Sequence, residues 1–135
     1  MKLPTAKIEL AVAKKDVREY LEVPYVDASE PDKPMMVASN GALLAVAPVE
    51  MDDDDLPGYL PLEAIKNARK QYPRGDTVLR ASDRVQLTNG TSFPRPFADQ
   101  EQPPRFPNWR QILRDTDYGP DHDICLDADL LAKLA

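Results

Sequence analysis

The chain has 135 residues, the length of one ordinary domain, and its 17 lysines and arginines against 23 aspartates and glutamates give a net charge of −6. This acidic balance argues against a small protein that holds nucleic acid with a uniformly basic surface. Hydrophobic residues at 42% and charged residues at 30% indicate a folded globular protein rather than a disordered one. The 14 prolines against 5 glycines exclude long helices and predict short segments with sharp ends.

Signals for targeting and for metal binding are weak. No run approaches the ~18 apolar residues of a membrane span, and the first residues lack the apolar core of a signal peptide, so we expect a soluble, cytoplasmic protein. His122 lies three residues before Cys125, beside Asp121 and Asp123. Because the chain has 1 His and 1 Cys, we expect no metal site, no cofactor and no internal disulfide.

The first quarter of the chain gives mixed signals. Ile8, Leu10 and Val12 alternate as in a strand, whereas Pro4 and the nearby alanines favour a helix, and periodicity leaves both open. Residues 18–26 predict a strand that is rich in Tyr and Val and contains one proline, which would mark an edge or a bulge.

A β-hairpin is predicted next. Two short apolar runs, residues 35–38 and 42–47, are joined at Ser39-Asn40-Gly41. Asn-Gly favours a hairpin because both residues tolerate a positive φ.

An acidic run, Asp52 to Asp55, follows the hairpin. Four consecutive aspartates lack the spaced ligands of a calcium loop, so we expect an exposed, mutually repelling loop. The alternative is an acid-dependent hydrolase in which these carboxylates hold a divalent ion.

A helix is predicted to begin after Pro61 and to end at Pro73 and Gly75. Its spacing places Leu62, Ile65, Ala68 and Tyr72 on the buried face. The opposite face carries Glu63, Lys66, Asn67 and Lys70, with Arg69 at its margin. The cations of that face indicate either a solubilising surface or a contact with DNA.

Three extended runs follow the helix, over residues 77–82, 84–89 and 91–97. They are separated by Ser82-Asp83 and Asn89-Gly90, which predicts a meander of antiparallel strands. A proline-rich connection over residues 98–107, the apolar anchors Trp109, Ile112 and Leu113, a strand over 124–126 and a helix capped by Asp127 complete the prediction.

Common catalytic signatures are absent from the sequence. It has no nucleophile elbow, no phosphate-binding loop, no dinucleotide fingerprint and no paired His and carboxylate with ligand spacing. We therefore expect a binding or structural protein rather than an enzyme.

An ordered set of segments resembles the bacterial DNA sliding clamp, the processivity subunit (β subunit) of the replicative DNA polymerase. The hairpin is similar to the clamp's Asp-Gly-x-Arg-Leu-Ala hairpin, and the other segments follow in the clamp's order at similar distances. The matching segments are residues 16–21, 37–46, 59–65, 105–113 and 127–131.

The resemblance implies an α+β fold of the DNA-clamp type, with antiparallel strands in β-α-β-β-β halves and short helices on one face. Residues 1–135 would form a single clamp-like domain, in which residues 4–14 are the first helix and residues 123–135 resemble the first strand and helix of a following domain. The strand that precedes the first helix would be missing. The C-terminal strand could fill that place in a neighbouring copy, which predicts a homo-oligomer.

The resemblance also implies two kinds of partner. Helix residues that face the hole of a ring would contact duplex DNA, namely Lys66, Arg69 and Lys70, joined by Lys7, Lys14 and Lys133. Short peptides from polymerases and other clients would enter a hydrophobic pocket formed by Leu21, Ser39, Gly41, Leu44, Pro107 and Ile112. The family's His-Arg pair after the hairpin glycine is replaced here by Ala42-Leu43, and an arginine at the pocket rim by Gln111.

The expected function is a non-enzymatic processivity or tethering factor in DNA replication or repair. The alternative is a diverged clamp-fold interaction or regulatory module, of phage or mobile-element type, that does not bind DNA. The acidic balance and the missing arginine favour that alternative.

Overall fold

The computed structural model describes residues 1–15, 18–41, 43–73, 76–111 and 124–125. Within these residues the chain is a small α+β protein with two antiparallel sheets and few helices, as predicted at that level. Its strands are β1 (Tyr25–Asp27), β2 (Met35–Ser39), β3 (Leu44–Pro48), β4 (Gly58–Tyr59), β5 (Arg80–Ala81), β6 (Arg84–Gln86), β7 (Ser92–Pro94) and β8 (Ile124–Cys125). Its helices are the 3₁₀ helices η1 (Ile8–Ala11) and η2 (Glu19–Glu22) and the α-helix α1 (Leu62–Gln71). No helix in the described ranges is long and apolar enough to cross a membrane.

The larger sheet has the order β4-β1-β2-β3-β8. Its centre is the predicted hairpin, which is confirmed: β2 pairs with β3 from Met35↔Pro48 to Ser39↔Leu44. In the connecting loop Gly41 has a φ of +93°, which explains why a glycine occupies this position. The Ser39 hydroxyl donates to the carbonyl of Leu43 at 2.7 Å, so side-chain hydrogen bonds close the loop.

The start of the chain differs from the prediction. The helix expected over residues 4–14 is limited to η1, because Lys2 and Leu3 pair with other segments and Val12, directly after η1, is extended. The Lys2 N–H donates to the carbonyl of Glu50 at 2.8 Å, and the Leu3 N–H donates to the carbonyl of Thr77 at 2.9 Å. The first residues are therefore extended and pair with two other segments of the chain.

The strand predicted over residues 18–26 is also shorter than expected. Its first half is η2, since the Leu21 N–H donates to the carbonyl of Arg18 at 2.9 Å and closes a tight turn. Pro24 has no N–H to pair, and β1 begins directly after it.

The helix and the meander are confirmed. α1 follows Pro61, and its inward side buries Ala64, Ile65 and Ala68. Leu62 and Tyr72, which were also predicted on the buried face, are only half-buried. The second sheet has the order β5-β6-β7. Within it Val85 is buried and Gln86 exposed, the alternation of a sheet with one wet face.

The last described strand, β8, pairs with β3 of the same chain through Ala45↔Cys125 and Val46↔Ile124. We expected this strand to complete a neighbouring copy; here it extends the sheet of its own chain, and the homo-oligomer stays a prediction. The helix predicted from Asp127 lies outside the described residues.

Both faces of the larger sheet are covered. On one face Met36 and Ala38 of β2 meet η1 and α1 in one hydrophobic cluster. On the other face Val37 joins Phe106 and Trp109 in a second cluster. The two helices thus lie on the same face of the sheet, and the proline-rich connection returns across the opposite face.

Candidate nucleic-acid interface and partner cleft

Arg69, predicted to face DNA, has an internal role in the structure. Its side chain is 13% exposed, and its guanidinium pairs with both carboxylate oxygens of Glu9, at 3.0 and 3.1 Å. It also donates to the carbonyls of Pro4 (2.7 Å) and Ala6 (3.2 Å) and to the hydroxyl of Thr77 (3.3 Å). Arg69 therefore fastens η1 to α1, and its donors are engaged inside the protein.

The other predicted cations meet in one place. Lys66 and Lys70 of α1 and Lys7, directly before η1, line a shallow groove of about 270 Å³ between the two helices. All of them are exposed. Within the described residues none of these lysines forms an ion pair, so their ammonium groups are available to a ligand.

The groove has a positive balance. Arg69 and Glu9 also line it but neutralise each other, which leaves Lys7, Lys66 and Lys70 against Glu63. An exposed apolar side chain, Leu10, lies beside them and is 44% exposed. Lys14 is exposed after the end of η1, and Lys133 lies outside the described residues.

The predicted peptide pocket is not open in this structure. Leu21 and Leu44 are 2% and 5% exposed and belong to the second hydrophobic cluster, so a client side chain would have to displace core contacts. The Ser39 hydroxyl is engaged within the hairpin loop. Gly41 and Pro107 are exposed, and Ile112 lies outside the described residues.

The acidic run is only partly the exposed loop that was expected. Asp52 to Asp54 are exposed, but Asp55 is 7% exposed and accepts from the Met1 ammonium at 2.7 Å and from the Ala81 N–H at 2.9 Å. Burial alone would raise the pKa of Asp55, but these hydrogen bonds outweigh it and lower the pKa below its ordinary value. Among the described residues, no group of three or more His, Cys, Asp or Glu side chains is placed to hold a metal ion.

A larger concave surface was not anticipated from the sequence. It is a cleft of about 740 Å³ between the start of β4, the turn after β5 and the proline-rich connection. We call it the aromatic cleft, because its wall contains Tyr25, Tyr59, Phe97 and Phe106. The rings contact one another in series, with Tyr25 stacked on Phe106 at 5.0 Å and Phe97 edge-on to Tyr59 at 5.1 Å.

Arg95 forms part of the cleft and joins the two sheets. Its Nε donates to the carbonyl of Tyr59 at 3.1 Å, and its Nη1 donates to the carbonyls of Leu56 (2.9 Å) and Ser82 (3.1 Å). Its Nη2 is buried and has no hydrogen-bond partner within the described part of the chain. Burial lowers the pKa of Arg95, yet an arginine side chain remains a cation in proteins.

The proline-rich connection and the residues after it are held to the larger sheet by two side-chain hydrogen bonds. The Tyr59 hydroxyl donates to the carbonyl of Pro104 at 2.7 Å, and burial raises the pKa of Tyr59, so this hydroxyl stays a neutral donor. Further along, the Trp109 indole N–H donates to Asp27 at 2.7 Å. The high density of Pro, Phe and Tyr was the sequence signal for this surface, but it did not show which rings would meet.

No family model, no curated protein and no solved structure matches this chain.

Proposed function

We propose that this chain is a non-enzymatic, sliding-clamp-like domain that touches duplex DNA through the groove between η1 and α1 and serves as a tether in replication or repair. The observation that carries the proposal is the convergence of Lys7, Lys66 and Lys70, from two separate segments, on one groove in a chain with a net charge of −6.

The chemistry of the groove fits a phosphate backbone. Ammonium groups on flexible stems make sequence-independent contacts with phosphate oxygens, which position a protein on DNA without reading bases. The acidic residues of the run before β4 lie at a different surface, next to the Met1 ammonium. A negative net charge is compatible with DNA contact when the cations are gathered in this way.

The order of elements supports the resemblance. η1 and the short η2 are followed by β1, β2 and β3, and then β4 is followed by α1, β5, β6 and β7. This is the order of two β-α-β-β-β halves if the extended residues 1–3 stand for the first strand. The two helices also share a face, the side that would meet DNA in a clamp.

The test is the affinity for a duplex oligonucleotide, measured by fluorescence anisotropy at several salt concentrations. For the double variant Lys66→Glu/Lys70→Glu, we expect weaker binding and a slope of log K against log salt that is smaller by about 1.8, since each phosphate contact contributes about 0.9. The matched control is Arg80→Glu/Arg84→Glu, which changes the net charge equally at exposed positions of β5 and β6. The proposal fails if both double variants weaken binding to the same extent, or if neither does.

A second candidate is an interaction or regulatory module on a diverged clamp-like fold, without DNA binding. The engagement of Arg69 with Glu9 favours it, because this removes one of the expected DNA contacts. Absence of DNA binding by the unmodified protein at low salt would select this candidate.

A further inference from the structure

The aromatic cleft has the dimensions of a recognition site. Its volume of about 740 Å³ lies within the range of roughly 300–1,000 Å³ that ligand pockets occupy. At its rim Leu56 is 47% exposed, although most large apolar side chains of the described residues are buried. An exposed apolar side chain at the edge of a cleft is typical of a surface that meets a partner.

The charges of the cleft select the partner's chemistry. Arg95 and Arg105 contribute two cations and Asp83 contributes one anion, so the lining is positive in an acidic protein. Among the described residues the buried Arg95 Nη2 has no acceptor, which is unfavourable for a buried donor. It lies close to Gly58, where an added Cβ would be 3.4 Å away. This nitrogen is closed off from solvent, so a partner carboxylate would pair with the exposed Arg105 guanidinium of the same lining.

The backbone of the cleft is also unusual. Phe97 has a φ of +62°, in the left-handed region that a bulky side chain rarely adopts. Residues held in this way cluster at binding sites, where the surrounding structure maintains the strain. Here the strain presents the Phe97 ring to Tyr59 and to the cleft.

We infer that the aromatic cleft binds an extended peptide segment of a partner protein in which a carboxylate side chain is next to an aromatic side chain. The partner is held through its side chains, because Arg95 occupies the carbonyls of Leu56 and Tyr59 on the outer edge of β4. A peptide fits better than stacked bases, since Tyr59 and Phe106 are only 5% and 8% exposed. The lining of this cleft contains none of the described residues of the pocket that the sliding-clamp resemblance implies, and the inference does not depend on DNA contact.

The experiment is an NMR titration of the ¹⁵N-labelled protein with the acetylated, amidated tetrapeptide Ala-Glu-Phe-Ala. We expect saturable shifts of the amides of Gly58, Ser82 and Phe97, with a Kd in the millimolar range. The Ala-Gln-Phe-Ala peptide should bind about threefold more weakly, which is the size of an exposed ion-pair contribution. The Ala-Glu-Ala-Ala peptide should also bind more weakly, because it lacks the apolar ring.

Protein variants provide the second half of the test. Arg105→Gln should weaken binding of the Ala-Glu-Phe-Ala peptide about threefold. The matched control is Arg80→Gln, at an exposed arginine outside the cleft, which should leave the affinity for this peptide unchanged. Both positions are exposed, so we expect neither change to unfold the protein. Equal binding of the Glu and Gln peptides would overturn the inference, as would shifts confined to residues outside the cleft. Saturable shifts at these amides with a thymidine tetranucleotide, and none with the peptide, would also overturn it.

Discussion

Replacing Arg69 with alanine should destabilise the protein strongly. The change removes hydrogen bonds to Glu9, Pro4, Ala6 and Thr77 and leaves the Glu9 carboxylate, 5% exposed, without its counter-charge. Breaking a buried pair from one side costs about 3–5 kcal/mol. For a chain of this length that corresponds to a Tm lower by roughly 10 °C or more.

The assay is urea and thermal unfolding followed by circular dichroism. Lys70→Ala is the matched control, because Lys70 is the next residue of the same helix and is exposed. This substitution should lower the free energy of unfolding by about 0.5 kcal/mol or less. The double variant Glu9→Leu/Arg69→Met leaves no buried charge, so its cost should be smaller than the sum of the two single changes. If Arg69→Ala lowers the free energy of unfolding by less than about 1 kcal/mol, the internal role of Arg69 is refuted and Arg69 is again a candidate for DNA contact.

Two further predictions concern carboxylates. The hydrogen bonds at Asp55 lower its pKa in the folded protein. The ionised Asp55 therefore contributes fully to the stability of the fold above the pKa of the unfolded state, about 4, and this contribution disappears as the pH falls through the pKa of the folded state. The stability difference between the unmodified protein and Asp55→Asn should therefore be largest near neutral pH and shrink in acid, and a difference independent of pH in unfolding experiments would contradict this. Asp27→Ala removes the carboxylate that accepts a hydrogen bond from the Trp109 indole N–H. This change should lower the free energy of unfolding by about 1–3 kcal/mol. Since the chain has 1 tryptophan, acrylamide quenching should increase in the variant, and unchanged quenching would show that the contact does not hold the segment.

Local sequence signals predicted the elements that depend on local chemistry. Asn40-Gly41 identified the hairpin because its loop needs a positive φ, and Pro61 identified the start of α1 because its missing N–H is tolerated there. The turn signals Ser82-Asp83 and Asn89-Gly90 identified the meander, because they separate its three extended runs. In each case the residues that decide the structure lie next to one another in the chain.

The predictions that failed depended on contacts between distant residues. Glu9 and Arg69 are 60 positions apart, and no spacing rule shows that Arg69 turns inward to this carboxylate. Asp55 was expected in an exposed loop, but it meets the Met1 ammonium and the Ala81 N–H, which come from two other segments. The aromatic cleft was missed for the same reason, because rings from β1, β4 and the proline-rich connection meet only after the chain has folded.

The groove between η1 and α1 could be predicted only in part from the sequence. The helical spacing placed Lys66 and Lys70 on one face, whereas the approach of Lys7 depends on how η1 lies against α1. The structure therefore brings the three lysines together, whereas Arg69, which was predicted to face DNA with them, is paired with Glu9.

The proposal of DNA contact is tested most directly by an NMR titration of the ¹⁵N-labelled, unmodified protein with a short duplex DNA at low salt. We predict shifts concentrated at the amides of Lys7, Leu10, Lys66 and Lys70, which decrease as salt is added, while the amide of Gly58 in the aromatic cleft remains unchanged. Shifts that leave the lysines of the groove untouched, or no shifts at millimolar DNA, would contradict the account.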